Sequence, residues 1–317
     1  MKRRTFNQTL AFSAAPLFLS SLAQAAESEP RWRVGILGTD NSHSGAFAKL
    51  INVDKKIPGA QVVAMYGREA ERNKEMAASG KVENIVSSPD EMLDQINVAF
   101  VVFRHGGLHA EHALPFIRKG IPTFVDKPFA LSTKDARAMI QAAKEHNTYI
   151  SSFSTVRWSE ETAEFAQERE QAGKLLGGVT SGPGSAESEY GGFGFYGIHA
   201  IELLLHTMQN RFRAVSAVRN GSNVVGSLTA DSGETYTVQV LEGLRGFHAV
   251  AFGEKGMLAK TVGSSYEIGL QQFFAGLENK QMVLDYEDLF TPVAIIEAME
   301  KSMQQNGETV ELEKLNT

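Results

Sequence analysis

The 317-residue sequence has no cysteine, which excludes disulfides, thiolate metal sites and a cysteine nucleophile together. It has no surplus of positive charge: 31 Lys and Arg stand against 37 Asp and Glu, a formal charge of −6. A phosphate backbone therefore meets no basic stripe, and nucleic acid is not an expected partner. Internal repeats and low-complexity linkers are also missing. The one apolar run near the start, Leu10 to Leu22, is interrupted by Ser13, Pro16, Ser20 and Ser21 and is too short to span a bilayer. What is present is ordinary globular material, 43% hydrophobic and 21% charged, enough for one large domain or two of about 150 residues.

Residues 1–29 read as an address. Lys2, Arg3 and Arg4 precede Phe6 and the apolar run, and Ala23-Gln24-Ala25 offers small residues to a signal peptidase. Arg3-Arg4-x-Phe resembles a twin-arginine signal, which implies export of an already folded chain to the periplasm, with no membrane attachment after cleavage. A general secretory signal or a retained anchor is the alternative.

The following 30–150 alternate strands with helices. Trp32–Gly38 is a buried strand ending on glycine, and Phe47, Leu50 and Ile51 follow at helical spacing. Strands at 61–66, 84–86, 98–103 and 123–125 are separated by helical stretches at 68–79, 89–95, 109–119 and 132–146. The pattern predicts an α/β fold, a doubly wound, mostly parallel Rossmann-type sheet. From 151 to 317 the pattern changes: helices at 160–173 and 198–208, a glycine-rich stretch at 177–197, successive β segments from 213 to 262, then helices near 268–278 and 291–305. This predicts a separate α+β domain with an open, largely antiparallel sheet, whose exposed face suits a homo-oligomer.

The turn after the first strand is where a dinucleotide's diphosphate would sit. Counted from Gly38, the G-x-G-x-x-G spacing puts its second and third glycines at Asp40 and His43. A side chain at the second position keeps backbone from phosphate, and a carboxylate there adds like-charge repulsion. Gly38, Thr39, Asp40, Asn41, Ser42 and His43 are thus the residues of an altered cofactor loop. The second strand ends in Tyr66-Gly67-Arg68 with no acid for the ribose hydroxyls of NAD. Arg68 could instead pair with a 2′-phosphate, favouring NADP, or be a solvated arginine at a helix start.

At Val125-Asp126-Lys127-Pro128 the chain resembles the glucose–fructose oxidoreductase/inositol dehydrogenase (Gfo/Idh/MocA) family, whose strand ends in Glu-Lys-Pro. The resemblance spans about 33–315 and includes Leu108-His109-Ala110-Glu111-His112, Gly197-Ile198-His199-Ala200-Ile201-Glu202 and the tail from Ala294 to Ser302. It implies a Rossmann domain followed by an α/β substrate domain, NADP or NAD as cofactor, and a sugar, polyol or sugar acid as the small-molecule substrate. It also places Lys127 at the reacting hydroxyl and the nicotinamide, and His199 as the catalytic histidine taking the hydroxyl proton. Glu202 shares a helix face with His199 and would orient it or bind a substrate hydroxyl. Tyr196 could contact substrate or pack within the glycine-rich stretch, and Arg157 and Trp158, which open the second domain, could hydrogen-bond and stack on a sugar ring or simply pack.

The departures from the family's pattern are specific. Phe195 stands where an aspartate is common, and Arg104-His105 replace Thr-Pro at the carboxyl edge of the sheet, where Arg104 could hold a substrate carboxylate or a cofactor phosphate. His109 reads as structural. The resulting expectation is an NAD(P)-dependent oxidoreductase. The alternative is a redox-inactive, carbohydrate-binding relative that has lost its nucleotide. A third reading, lyase or hydrolase chemistry through His43, His105, His199 and Glu202, lacks metal-ligand spacing on any one helix, so no metal is expected.

Overall fold

The structure is a computed structural model and describes residues 29–315. All but the last residue of the export segment read at the N-terminus lies outside the described residues.

Five short strands form the first sheet: β1 (Trp32–Leu37), β2 (Ala60–Tyr66), β3 (Val98–Val101), β4 (Thr123–Val125) and β5 (Ile150–Ser151). All pairs are parallel and the order is β2-β1-β3-β4-β5. Strands β3 and β4 are buried at every position, which is why the sequence shows unbroken apolar runs there instead of alternation. The connections are α1 (Ser42–Ala48, running on into a π-helical turn at Lys49–Val53), α2 (Ala70–Ser79), α3 (His109–Arg118) and α4 (Thr133–Glu145). The strand order reverses between β1 and β3, so the carboxyl ends of these strands border the crevice in which such sheets place ligands. The strand expected at 84–86 is reduced to a single bridge, Met65 to Ile85, and the helix expected at 89–95 to a 3₁₀ turn at Pro89–Met92.

The second sheet has seven strands: β6 (Leu175–Pro183), β7 (Phe212–Asn220), β8 (Asn223–Ala230), β9 (Thr235–Leu241), β10 (Phe247–Gly253), β11 (Gly256–Val262) and β12 (Val310–Glu311), in the order β11-β10-β6-β9-β8-β7-β12. It is mixed, because β6 and β9 run parallel while the other neighbours are antiparallel. Helix α5 (Glu160–Glu168) and the long apolar α6 (Gly194–Met208) follow the first domain, and α6 packs on the sheet with Thr180 Oγ1 donating to Ala200 O at 2.8 Å.

The last two helices, α7 (Tyr266–Asn279) and α8 (Tyr286–Gln304), cross back. Phe273 and Phe274 of α7 join Phe100 and Phe124 in an aromatic layer with ring centroids 5.2–6.0 Å apart, and Leu289, Phe290 and Val293 of α8 belong to the same core. Only the later part of α8, from Ile295 to Met299, enters the core of the second sheet. The residues expected to serve the second domain alone therefore close the first one as well. Their apolar faces are what seals the β3–β4 region that parallel strands leave in need of cover.

Candidate active site

The site lies where the carboxyl ends of β1, β3 and β4 meet the N-terminal half of α6. Gly38 ends β1 with φ of 110°, a backbone that side chains rarely adopt, and a Cβ there would stand 2.4 Å from Phe103 N. Glycine is what lets the ends of β1 and β3 come together. Thr39 is buried and hydrogen-bonded to Asn73, and Gly67 leaves room for that pair, since a Cβ would fall 1.8 Å from Thr39 Oγ1. Asn41 caps α1, accepting from His43 N at 3.2 Å, while Ser42 is exposed at the helix start.

Two departures from the family motif meet in space. His43 Nδ1 lies 2.7 Å from Asp126 Oδ2, and Asn41 Nδ2 donates to the same oxygen at 2.9 Å. All three residues are buried. Burial works to raise the Asp126 pKa, but the contact and hydrogen bond with His43, together with nearby Lys127 and His109, outweigh it and hold the carboxyl below its ordinary value, so it is an anion at neutral pH. An aspartate is one methylene shorter than the family's glutamate, which leaves space for the imidazole that has replaced a glycine.

Lys127 is only 3% exposed. Its Nζ donates to Phe195 O at 3.5 Å and lies 4.7 and 5.1 Å from the ring centroids of Phe195 and Tyr196. Burial lowers its pKa, Asp126 and Glu202 oppose that, and Arg104 adds to it; the net direction is down. His199 Nδ1 is 2.6 Å from Ser154 Oγ, and its ring packs edge-on to Tyr196 and Phe247. Burial first, then the ammonium of Lys127 and the neighbouring His43, keep its pKa well below the ordinary value, so His199 is neutral. His43, Lys127, Tyr196 and His199 thus form one cluster.

Glu202 supports this cluster from behind. Its Oε2 accepts from Ser154 N at 2.9 Å, so it holds the serine that holds His199 and does not touch the imidazole itself. Burial raises its pKa to about 7, against the opposing charge of Arg157. The folded-state value thus lies above the ordinary 4.5, so the folded protein binds the extra proton between these values and loses stability as pH rises from 4.5 to about 7. His206, one turn on, acts with the opposite sign. Burial, then Arg157 and Arg169, depress it to about 4, so stability falls as pH drops from 6.5 to that value. Glu202→Gln should therefore gain stability over wild type at alkaline relative to acidic pH, by about 2–3 kcal/mol between roughly pH 5 and pH 8 in urea titrations. An equal difference at both pH values would show that Glu202 does not titrate in this range.

The remaining expected residues divide. Arg104 lies at the crevice edge, where Nη1 donates to Tyr190 Oη at 3.1 Å and the guanidinium covers the Tyr190 ring at 4.9 Å, bridging the two domains. Arg68 is exposed at the end of β2, 5.6 Å over the Phe103 ring. His105 is turned to its own backbone, where Nδ1 accepts from Gly107 N at 3.1 Å to cap the turn before α3. Arg157 does not join the Lys127 cluster. It sits in the 3₁₀ turn Thr155–Trp158, with Nη2 3.6 Å from Asp288, and lines a separate cavity of about 550 Å³ with His206 and Asp285. His109 bridges Phe103 O and Pro128 O at 2.8 Å each and ties two strand ends together. Asp126, Ser154 and Tyr190 were not singled out as site residues. The available signal for Asp126 was that it and His43 are paired departures from the same family motifs.

The architecture is that of a two-domain α/β protein with a parallel, Rossmann-type first sheet. The model of the family described as "Oxidoreductase family, NAD-binding Rossmann fold" (GFO_IDH_MocA) matches residues 32–153, so the first domain is similar to that family. Similar curated proteins include the 1,5-anhydro-D-fructose reductase of Ensifer adhaerens, 35% identical over 88 residues, which are 27% of this chain and 26% of that protein. The scyllo-inositol 2-dehydrogenase (NADP(+)) IolU of Bacillus subtilis (strain 168) is 34% identical over 92 residues, 28% of each chain. These matches span about a quarter of the relatives' lengths. Whole-chain likeness comes from solved structures. GenD2 from gentamicin A biosynthesis, in complex with NAD, has a TM-score of 0.78 at 18% identity, covering 90% of this chain and 97% of its own. Myo-inositol dehydrogenase from Lactobacillus casei, with NAD(H) and myo-inositol, gives 0.76 at 18% identity, covering 90% and 98%. At these identities the likeness is one of fold.

An NAD-binding fold implies a dinucleotide, and the loop fits one in an altered way. Asp40 Oδ2 accepts from Arg104 N at 3.2 Å, whereas its Oδ1 is buried with no hydrogen-bond partner. A buried acceptor of this kind calls for a donor, and ribose hydroxyls are donors while a diphosphate is not. Arg68 and Arg104 supply cationic donors to phosphate along the same edge. The residues match the ligand's chemistry with the charges redistributed: acid to hydroxyl, arginine to phosphate.

Proposed function

We propose that the protein is an NAD(P)-dependent oxidoreductase acting on a hydroxyl or carbonyl of a sugar, polyol or sugar acid. The observation that carries this reading is the buried Lys127 ammonium, held with neutral His199 and Tyr196 at the carboxyl edge of a Rossmann sheet whose family binds NAD. Thr39, Asp40, Asn41, Ser42, Arg68 and Arg104 would hold the dinucleotide. Once bound, its nicotinamide supplies the hydride-accepting or hydride-donating chemistry. The chain's own residues do the rest. Lys127 places a positive charge on the reacting oxygen, stabilising the alkoxide character that develops as the carbonyl forms. His199 offers a nitrogen to a substrate hydroxyl from the opposite wall. Tyr196, 40% exposed, provides an aromatic face to the ring.

Titration of the purified protein with NADH and NADPH, followed by nucleotide fluorescence, should show saturable binding at about 1–100 μM. Arg68→Ala should weaken NADPH about tenfold more than NADH, because only the former carries the 2′-phosphate. Absence of binding by both nucleotides would replace this reading with the redox-inactive sugar-binding one.

The basic and apolar N-terminus supports export by a twin-arginine route to the periplasm, a route that would carry an already loaded cofactor. Leu176, Val218, Phe252 and Met257, all exposed and carried by strands of the second sheet, support a homo-oligomer.

A further inference from the structure

We propose that His43, oriented by Asp126, is the group that accepts the substrate's hydroxyl proton, in place of His199. This rests on the oxidoreductase reading above. The position belongs to a glycine in the dinucleotide motif, so the imidazole is an addition to the fold and not part of its usual machinery.

The geometry fixes the tautomer. Asp126 is an ionised, acceptor-only carboxylate, and its Oδ2 already receives Asn41 Nδ2 at 2.9 Å. A contact of 2.7 Å from that oxygen to His43 Nδ1 therefore carries the proton on Nδ1. The lone pair is left on Nε2, to which no other described residue hydrogen-bonds. Phe47 and Tyr266 pin the ring, with centroids 5.7 and 5.0 Å away. This is the arrangement in which a carboxylate holds an imidazole and stabilises the imidazolium it becomes.

His199 lacks both advantages. Its Nδ1 partner is the Ser154 hydroxyl, with no carboxylate in contact, and taking a proton there would place a second cation near Lys127 in a buried site. The groups facing His43 are Asp126 and Lys127 at the end of β4, His199 on α6 and the Tyr266 phenol on α7. Of these, only Asp126 is an anion at neutral pH.

The step balances as follows. The substrate O–H bond breaks and an N–H bond forms at His43 Nε2. As the C–O bond becomes C=O, the hydrogen and electron pair of the carbinol carbon would leave as hydride, for which an oxidised nicotinamide held by the loop would be the acceptor. Asp126 stays ionised throughout as a positioning residue.

The test uses the full-length exported protein with NAD⁺ or NADP⁺ and myo-inositol as the probe substrate. Long-range ¹H–¹⁵N spectra of histidine-labelled protein should show His43 as the Nδ1–H tautomer, with its signal absent in His43→Gln and displaced in Asp126→Asn. His43→Gln, with His43→Asn as a second variant against misfolding, should lower kcat about 10²–10⁴-fold. Nucleotide affinity should stay within about threefold. His199→Gln should raise KM more than it lowers kcat. An Nε2–H tautomer, wild-type kcat in both His43 variants, or loss of nucleotide binding on changing His43 would each overturn the assignment. Wild-type protein that binds neither NAD(H) nor NADP(H) would overturn the oxidoreductase reading itself, a result distinguishable from failure of His43 alone.

Discussion

Lys127→Met is expected to lower kcat by about three orders of magnitude, leave nucleotide affinity nearly unchanged, and leave the melting temperature unchanged or higher. The two halves of this expectation have one cause. The ammonium is buried against Phe195 and Tyr196, and burial is the dominant influence on its lowered pKa. A desolvated cation is a cost to the fold, offset in part by Asp126 and Glu202, and on the proposed function the developing negative charge of the substrate oxygen would repay it. Methionine fills the same volume without that cost. Arginine would not rescue activity, because a guanidinium cannot release its proton. The sign of the pH dependence follows from the depressed pKa. Wild-type stability should decline as pH falls from 10.5 towards the folded-state value, where the unfolded chain binds the proton more readily, and the methionine variant should lack that slope. Parallel urea titrations of both proteins across the alkaline range, with steady-state kinetics, check both halves. A variant that retains wild-type kcat would remove Lys127 from the chemistry.

Gly38→Ala should cost about 2–5 kcal/mol and lower the melting temperature by about 5–15 °C. Two penalties combine at this position. A φ of 110° is strained for any residue with a Cβ, and the Cβ would meet backbone atoms of Phe103 and Val102 at 2.4–2.7 Å, which cannot rotate away as a side chain tip would. Because the same contact sets the spacing of the β1 and β3 ends, weakened nucleotide binding should accompany the loss of stability. Gly120→Ala is the control: it shares a positive φ of 77° but has nothing within 4 Å, so it should cost only the backbone strain, about 1 kcal/mol. Equal melting temperatures for the two variants would show that β1 and β3 can part without penalty.

The sequence read the first domain well because parallel strands buried on both faces leave unbroken apolar runs, and helices between them leave a different period. It read the second domain's strands but not their mixed sense: whether β6 and β9 run parallel is decided by a connection through α6, two hairpin-linked strands and a return, which no local pattern records. Lys127, Tyr196 and His199 meet as expected. Arg157 was expected beside them and sits instead against Asp288. The 3₁₀ turn at Thr155–Trp158, capped by Ser154, sets its direction, and a single step along such a turn rotates a side chain by about a third of a circle. His105 was expected at the cofactor and caps its own turn.

Composition and periodicity determined the class of fold, and a handful of short motifs pointed to a dinucleotide and to Lys127, because each is written locally, in the burial of a strand or the residues of one turn. Only tertiary structure decided that Asp126 and His43, 83 residues apart, share a hydrogen bond, and that α7 and α8 return to close the first domain. The geometry of an imidazole and a carboxylate depends on two strand ends being brought to one crevice, and that distance is a property of the packed sheet, not of either segment.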